Sequence, residues 1–323
     1  MKKTRIGSCA SASRPAGPAS RRGFAFVLVL MLLVLVTMVV GAFTMRTSAA
    51  YRASLSRAVS WRLYYAARAA VEETKATLWR QLITAKETPA ILAPPDETTY
   101  DVGGVSVKVN FVDEAGKLPV NDFASPDDAK RKDLTLVLAR LFDALALPSS
   151  TGLATAVRDY IDEDNDGLRE MNAKNEPIFD ACELLSIQGF RPEMLYRPVQ
   201  EGLPPAADLL TTWYRGNVNV NSAGPFVLKS LSPRLTDADV QAIISAREDQ
   251  PFKSPEDLAA RSNVSGEALA DLTRWAGFST DTLTLKLEAR QGDFVRRLEA
   301  VIWIESTKGH TLYFCDDWRG AHR

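Results

Sequence analysis

The sequence predicts an α+β protein in which a long N-terminal helix and a small antiparallel sheet are interrupted by a large, mainly α-helical insertion. Three observations predict this fold class. An uncharged apolar run covers residues 24–45, helical patterns fill residues 121–278, and period-two patterns typical of strands lie on both sides of that block. Strands before and after a helical block indicate one sheet that the chain leaves and later rejoins.

The apolar run predicts a membrane-spanning helix. It consists mostly of Val, Leu, Met, Phe and Ala, and about 20 such residues cross the hydrocarbon core of a bilayer. Under the positive-inside rule, basic residues before the run keep the N-terminus in the cytoplasm, although Arg46, Arg52 and Arg57 beyond it weaken the asymmetry. Six basic residues and no acidic residue precede the run: Lys2, Lys3, Arg5, Arg14, Arg21 and Arg22.

Gly23 joins the basic segment to the apolar run. This order differs from a secretory signal peptide, whose apolar core of about 7–15 residues is followed by the cleavage site. It resembles the type III leader of pilins and pseudopilins, which a prepilin peptidase cuts after the Gly on the cytoplasmic side. The resemblance implies that residues 1–23 are removed and that the mature chain begins at a methylated Phe24. An ordinary signal anchor that is never cut is the alternative.

Residue 28, the fifth of the implied mature chain, is Leu. Most pilin-like proteins carry Glu there, where it resembles a counter-ion for the N-terminal amine of a neighbouring subunit. Because an ionised group at membrane depth is retained only where it has a partner, a subunit with Leu28 does not need that contact. The absence of Glu is typical of the protein K family of type II secretion systems, and it implies a place at the pseudopilus tip.

The composition agrees with a folded body behind the anchor. The 323 residues are 46% hydrophobic and 24% charged, enough for about two domains. Lys and Arg number 39 and Asp and Glu 40, so loss of the basic leader leaves an acidic chain, which disfavours nucleic acid as the main partner. Outside the leader, Cys182 and Cys315 either pair in an oxidising compartment or remain two separate buried thiols.

Residues 46–86 are predicted to continue the N-terminal helix. Ala is abundant, and apolar residues recur at spacings of three and four: Leu55, Val59, Leu63, Ala66 and Ala70. Residues 87–120 then alternate around Gly103-Gly104, which predicts two short strands joined by a tight turn. Residues 279–316 alternate again, and the two stretches are predicted to form one pilin-like sheet.

Residues 112–121, Val-Asp-Glu-Ala-Gly-Lys-Leu-Pro-Val-Asn, resemble the stretch that leads into the inserted domain of protein K. A charged turn between strands is the alternative. Within the insertion, residues 134–147 predict a helix capped near Ser125 or Asp127, and residues 152–161 predict a second helix.

An acidic loop follows the second helix. Its Asp-Glu-Asp-Asn-Asp-Gly sequence repeats the first half of an EF-hand loop, in which alternate oxygens converge on a hard cation. The twelfth position is Ala173 instead of the bidentate Glu, so either a later carboxylate completes the shell or the loop is an acidic surface turn. The resemblance to protein K also implies structural calcium here. The candidate ligands are Asp162, Asp164, Asp166, Glu170, Glu176 and Glu183.

Residues 217–278 hold the strongest internal signature, an Asn-x-Asn-x-Asn-Ser start followed by helices that Asn and Ser residues, Thr236 and Ser254 are predicted to cap. This order occurs in protein K and in helix-hairpin-helix DNA-binding modules. The connector at residues 232–235 has no Gly for backbone approach to phosphate, and the segment has six basic against eight acidic residues. The module is therefore predicted to serve protein packing. A membrane-anchored DNA-uptake receptor is the alternative function.

No catalytic centre is predicted. The two histidines, His310 and His322, have no nucleophile or metal-ligand spacing around them, and the chain lacks a Gly-rich phosphate loop, a Ser elbow and a Cys-x-x-Cys motif. We therefore expect a protein that is not an enzyme.

The resemblance to protein K extends from the leader to the terminal strands. It implies a single-pass protein of the bacterial inner membrane with a periplasmic body. It also implies a minor pseudopilin that joins the minor pseudopilins I and J in a tip complex that starts pseudopilus assembly. The other implied partners are the prepilin peptidase, the inner-membrane assembly platform and secreted substrates.

Overall fold

Helix α1 (Ser20–Thr84) opens the described part of the chain. From Phe24 onward its most apolar window has a mean hydropathy of 3.0, and among the described residues it is the one helix long and apolar enough to cross a membrane. In this computed structural model, side chains are described from residue 24 onward, and the described residues are 20–84, 91, 93–164, 173–264, 266–305 and 308–316.

The chain divides into two compact units, residues 1–59 and residues 60–323. In the first unit the described residues all belong to α1, and nearly every large apolar side chain between Phe24 and Met45 is exposed. Within a water-soluble protein such a surface would be unfavourable, whereas hydrocarbon is its natural solvent. The first unit is therefore compatible with a single-pass membrane anchor.

The second unit contains a five-stranded antiparallel sheet in the order β1-β2-β7-β8-β9. Strand β2 pairs with β7, with Asn110 opposite Lys286, so the chain on either side of the insertion meets in one sheet. The predicted α+β fold class is confirmed. The sheet strands are β1 (Glu97–Val102), β2 (Val105–Asp113), β7 (Thr282–Gln291), β8 (Phe294–Ile304) and β9 (Gly309–Asp316), and the short parallel pairs are β3 (Leu118–Pro119) with β4 (Leu210–Thr211) and β5 (Val218–Asn219) with β6 (Ala276–Gly277).

One face of the sheet packs on the second half of α1. The Tyr64 ring meets the Phe314 ring edge-on, with centroids 5.6 Å apart, and Arg296 donates to the carbonyl oxygen of Ser60 at 2.7 Å. The helix residues buried in this unit include several Ala, whose small side chains allow helix and sheet to approach closely. They are Leu63, Ala66, Ala67, Ala70 and Val71, and the buried sheet residues include Leu285, Leu287, Leu298 and Ala300.

The insertion is built from short helices around a core of its own. Its largest fully buried side chains include Phe123, Phe142 and Phe252, and α2 packs on both α3 and α5. The helices are α2 (Asp128–Ala144), α3 (Ser150–Ile161), α4 (Pro192–Tyr196), α5 (Pro225–Leu231), α6 (Asp237–Asp249), α7 (Pro255–Arg261) and α8 (Gly266–Trp275).

The helix boundaries follow local capping chemistry. Asp127, one of the two predicted caps, is confirmed as the N-cap of α2, because its side chain accepts hydrogen bonds from the backbone N–H groups of Ala129 and Lys130. The helix therefore begins at Asp128, before the predicted start at residue 134. It also ends earlier, at Ala144, because Ala146 has a left-handed φ of 56°. The predicted caps Thr236 and Ser254 are confirmed, since each accepts a hydrogen bond from the third residue of its helix.

The predicted Asn or Ser cap of α5 is wrong. Gly224 occupies the N-cap, with Pro225 at the first helical position. Asn221 is instead committed to long-range bonds, donating to the carbonyl oxygens of Phe252 and Phe278 and accepting from the N–H of Phe252 at 2.7 Å. This Asn joins distant segments of the module.

Candidate functional site

The acidic loop begins where α3 ends. Asp162 is the C-cap of α3 and is 3% exposed. Asp164 binds Arg131 at 2.9 Å. Of the other predicted ligands, Glu176 is exposed and Glu183 pairs with Lys174 at 2.6 Å. Asp166 and Glu170 lie outside the described residues.

Two arginines balance the carboxylates of this loop. Besides Asp164, Arg131 faces Asp162 at 4.0 Å, and Arg158 contacts Asp159 at 2.8 Å and Asp162 at 3.7 Å. The balance is incomplete, because burial and the neighbouring charge of Asp164 raise the pKa of Asp162 to about 6. Its carboxylate is therefore costly to ionise at neutral pH unless another positive charge is supplied.

Two buried oxygens in this region lack a hydrogen-bond partner within the described part of the chain. They are Oδ2 of Asp159, whose residue is 0% exposed, and Oδ1 of Asp162. Buried carboxylate oxygens normally have partners, and an orphan suggests an ion or a water. Sequence analysis missed Asp159 because it lies inside α3, outside the loop pattern.

The donor set has the chemistry of a hard-cation site, because carboxylate oxygens are what Ca²⁺ prefers. Among the described residues, however, no three His, Cys, Asp or Glu side chains form a group arranged to hold a metal ion. Glu183 is engaged by Lys174 and by the N–H of Phe179 at 2.5 Å. Asp159 and Asp162 supply carboxylate oxygens of the kind that such a cation binds, and calcium stays a prediction.

A second buried polar cluster lies where the chain passes from the sheet into the insertion. We call Asp113 and Glu114 the carboxylate junction. Asp113 ends β2 and accepts hydrogen bonds from Asn219 at 2.8 Å, from Ser222 at 2.5 Å and from the N–H of Ala115 at 2.8 Å. Burial raises its pKa despite these donors.

Glu114, the other half of the carboxylate junction, is 1% exposed. One oxygen accepts from Thr284 of β7 at 2.7 Å and from Lys117 at 2.6 Å, and the other accepts from Thr211 of β4 at 2.5 Å. Its bonds therefore tie the sheet directly to the insertion.

Close packing at the carboxylate junction also explains why residue 116 is Gly. A Cβ added to Gly116 would lie 2.6 Å from Oγ of Ser222 and 3.1 Å from the Ser222 carbonyl carbon. The alternative interpretation of the Asp-Glu-x-Gly pattern as a charged turn is therefore wrong. The two carboxylates are buried where the chain passes from the sheet into the insertion.

Basic side chains in and around the connector between α5 and α6 make contacts within the protein. Arg234 pairs with Asp271 and Glu267 at 2.7 and 2.8 Å, and Lys229 pairs with Asp237. Arg140 donates to the carbonyl oxygen of Ser230 at 2.7 Å. Phosphate binding would have to break these contacts, so the geometry does not favour the DNA-uptake alternative.

The two cysteines outside the leader are free thiols. Cys182 is exposed and Cys315 is half-buried, so the expectation of buried thiols is wrong for Cys182. Local desolvation and the neighbouring Asp180 raise the pKa of Cys182 to about 11, which keeps the thiol protonated and poorly nucleophilic.

Leu28 and Phe24 lie on the apolar segment of α1, where both side chains are exposed. The peptide bond between Gly23 and Phe24 lies within the helix.

Comparison with known structures and families identifies this architecture. A chain in the crystal structure of the GspK-GspI-GspJ complex from the enterotoxigenic Escherichia coli type 2 secretion system aligns with a TM-score of 0.58 at 17% identity, covering 80% of this chain and 99% of that chain. The family model of type II secretion system (T2SS), protein K matches residues 218–278. The predicted resemblance to the protein K family is confirmed.

The segment that matches the protein K family model contains helices α5 to α8 and the parallel pair of β5 with β6. Asn219 and Ser222, which bind the carboxylate junction, lie inside it. A search of the curated proteins gives no match.

Proposed function

We propose that this chain is a non-enzymatic minor pseudopilin of a type II secretion system. It joins the minor pseudopilins I and J of the same system in a tip complex that starts pseudopilus assembly. The observation that carries the proposal is the fold, which the chain shares with a chain of the GspK-GspI-GspJ complex over 80% of its length. The family match at residues 218–278 supports it independently.

The N-terminal segment supports a place at the tip. Leu28 removes the carboxylate that other subunits are expected to need for contact with the subunit above. The insertion also adds a second core to the body, and a body of that size would be hard to repeat along a shaft. The chain would cross the inner membrane once, with its body in the periplasm and an assembly platform and secreted substrates as further partners.

Co-expression of the full chain with the I and J proteins of the same organism tests this function. We expect a complex containing all three after membrane extraction, and loss of secretion when the chain is deleted. Normal secretion without the chain, together with its failure to copurify with I and J, would contradict the proposal.

We expect Gly23→Leu to block removal of the leader. The bulky side chain would occupy the position that resembles the small residue of the peptidase site, so the chain should keep residues 1–23 and secretion should fall sharply. Intact mass of the membrane-extracted protein measures this directly. Gly17→Leu changes a glycine elsewhere in the leader and serves as control. A chain that starts at Phe24 in the Gly23→Leu variant would reject the cleavage proposal.

We also propose a structural calcium ion at the acidic loop, held by Asp162 and Asp159 with Asp164 nearby. When bound, the ion would supply positive charge to carboxylates that Arg131 and Arg158 balance only in part. The chain's own contribution is to hold two buried oxygens without hydrogen-bond partners among its described residues.

A further inference from the structure

The arginines of α1 between residues 46 and 68 fall into two groups that differ in their contacts. Arg62 donates to the carbonyl oxygen of Gly103 at 2.5 Å, and the Arg68 guanidinium lies over the Phe314 ring, 5.8 Å from its centroid. Arg46, Arg52 and Arg57 are exposed and make no ion pair or side-chain hydrogen bond within the described part of the chain. The first group serves the fold, and the second has no role inside it.

The second group lies next to the apolar span and has no acidic neighbour in sequence. The stretch from Phe24 to Val71 contains no Asp or Glu, and the first acidic residue after it is Glu72. A solvated helix face normally interleaves both signs of charge. This segment instead presents a basic collar, which we define as Arg46, Arg52 and Arg57.

Helix geometry sets how far each member of the basic collar lies from the membrane. At 1.5 Å per residue, Arg46 directly follows the span, Arg52 lies about 10 Å beyond Met45, and Arg57 about 18 Å beyond it. The headgroup layer is roughly 5–8 Å thick on each side, and the Debye length is about 8 Å at physiological salt. Arg46 and Arg52 can therefore reach lipid phosphates. At the distance of Arg57, salt largely screens the electrostatic potential of the lipid headgroups.

We propose that Arg46 and Arg52 bind the phosphate groups of anionic phospholipids in the leaflet that faces the folded body. The inference rests on the proposed membrane-spanning anchor and goes beyond it by naming the lipid class. Guanidinium forms bidentate hydrogen bonds to phosphate, so an anionic headgroup satisfies a side chain that the protein leaves exposed. Removal of the six leader charges would leave this collar as the basic group that adjoins the span of the mature chain.

Reconstitution of the full chain in vesicles tests the proposal. The vesicles contain phosphatidylcholine, alone or with phosphatidylglycerol as about a third of the lipid. One Arg near an anionic membrane surface shifts the equilibrium toward its lipid-bound state about fivefold. Arg46 and Arg52 together should therefore favour the lipid-bound state of this segment roughly 25-fold. We expect amide hydrogen exchange of residues 44–58 to slow several-fold with phosphatidylglycerol, and high salt to reduce the effect.

The Arg46→Gln/Arg52→Gln variant should lose the dependence on phosphatidylglycerol. The matched control, Arg57→Gln/Arg80→Gln, removes the same charge from exposed positions of the same helix farther from the span and should keep it. Equal exchange of the wild-type segment in both lipids, or equal loss in the control, would overturn the proposal. A chain that does not float with vesicles of either composition would reject the anchor itself, and this inference with it.

Discussion

Replacing Glu114 by Ala is expected to destabilise the folded body by about 3–5 kcal/mol, the usual effect of removing one partner from a buried ion pair. The change leaves the Lys117 ammonium without its carboxylate and removes the acceptor for Thr211 and Thr284. Because these bonds join the sheet to the insertion, the two parts should also become separately sensitive to protease. Urea unfolding followed by circular dichroism gives the free energy of unfolding.

A surface pair provides the control for this prediction. Glu97 pairs with Lys108 at 2.6 Å, but both side chains are nearly half exposed, so Glu97→Ala should cost no more than about 1 kcal/mol. Glu114→Gln keeps the shape and some hydrogen bonds, and we expect an intermediate loss. If Glu114→Ala were no worse than Glu97→Ala, the carboxylate junction would not hold the insertion to the sheet.

Replacing Asp162 by Asn is expected to have opposite effects with and without calcium. In chelator-treated protein the folded-state pKa of Asp162 is raised to about 6, above its ordinary value of about 4. The folded state therefore binds the Asp162 proton more tightly than the unfolded state does. The resulting contribution to the free energy of unfolding is fully present below pH 4 and is lost as the pH rises through 6. Asp162→Asn removes this loss, so the variant should have the higher Tm at pH 7 without calcium.

With calcium the order should reverse. Ion binding requires the ionised carboxylate, and saturation at about 100 times the Kd stabilises the wild type by about 2.7 kcal/mol. Asp162→Asn should lose most of that gain, whereas the neighbouring exposed Glu163, changed to Gln, should keep it. Thermal unfolding of the three proteins at pH 5 and pH 7, with calcium or chelator, measures all these effects. A calcium response that persists in Asp162→Asn would reject this residue as a ligand.

The sequence predicts those features that depend only on residues close together in the chain. The apolar run from Phe24 to Met45 specifies its own helix, and the alternation around Gly103-Gly104 specifies a hairpin, because periodicity and turn chemistry act within a few residues. Thr236 and Ser254 start their helices for the same reason, since an N-cap binds an N–H group three positions away. The cap at Gly224 was not predicted. Asn221, a predicted cap, instead donates a hydrogen bond to the carbonyl oxygen of Phe252, which is distant in the sequence.

The tertiary structure alone decided which polar residues are buried and what they bind. Asp113 and Glu114 are compatible in sequence with an exposed charged turn, and only contacts with Asn219, Thr211 and Thr284, roughly a hundred or more residues away, make them a junction. Asp159 joins the acidic loop in the same way, through the packing of α3. Burial and electrostatic environment depend on every group that surrounds a side chain in space, and most of those groups are remote along the chain.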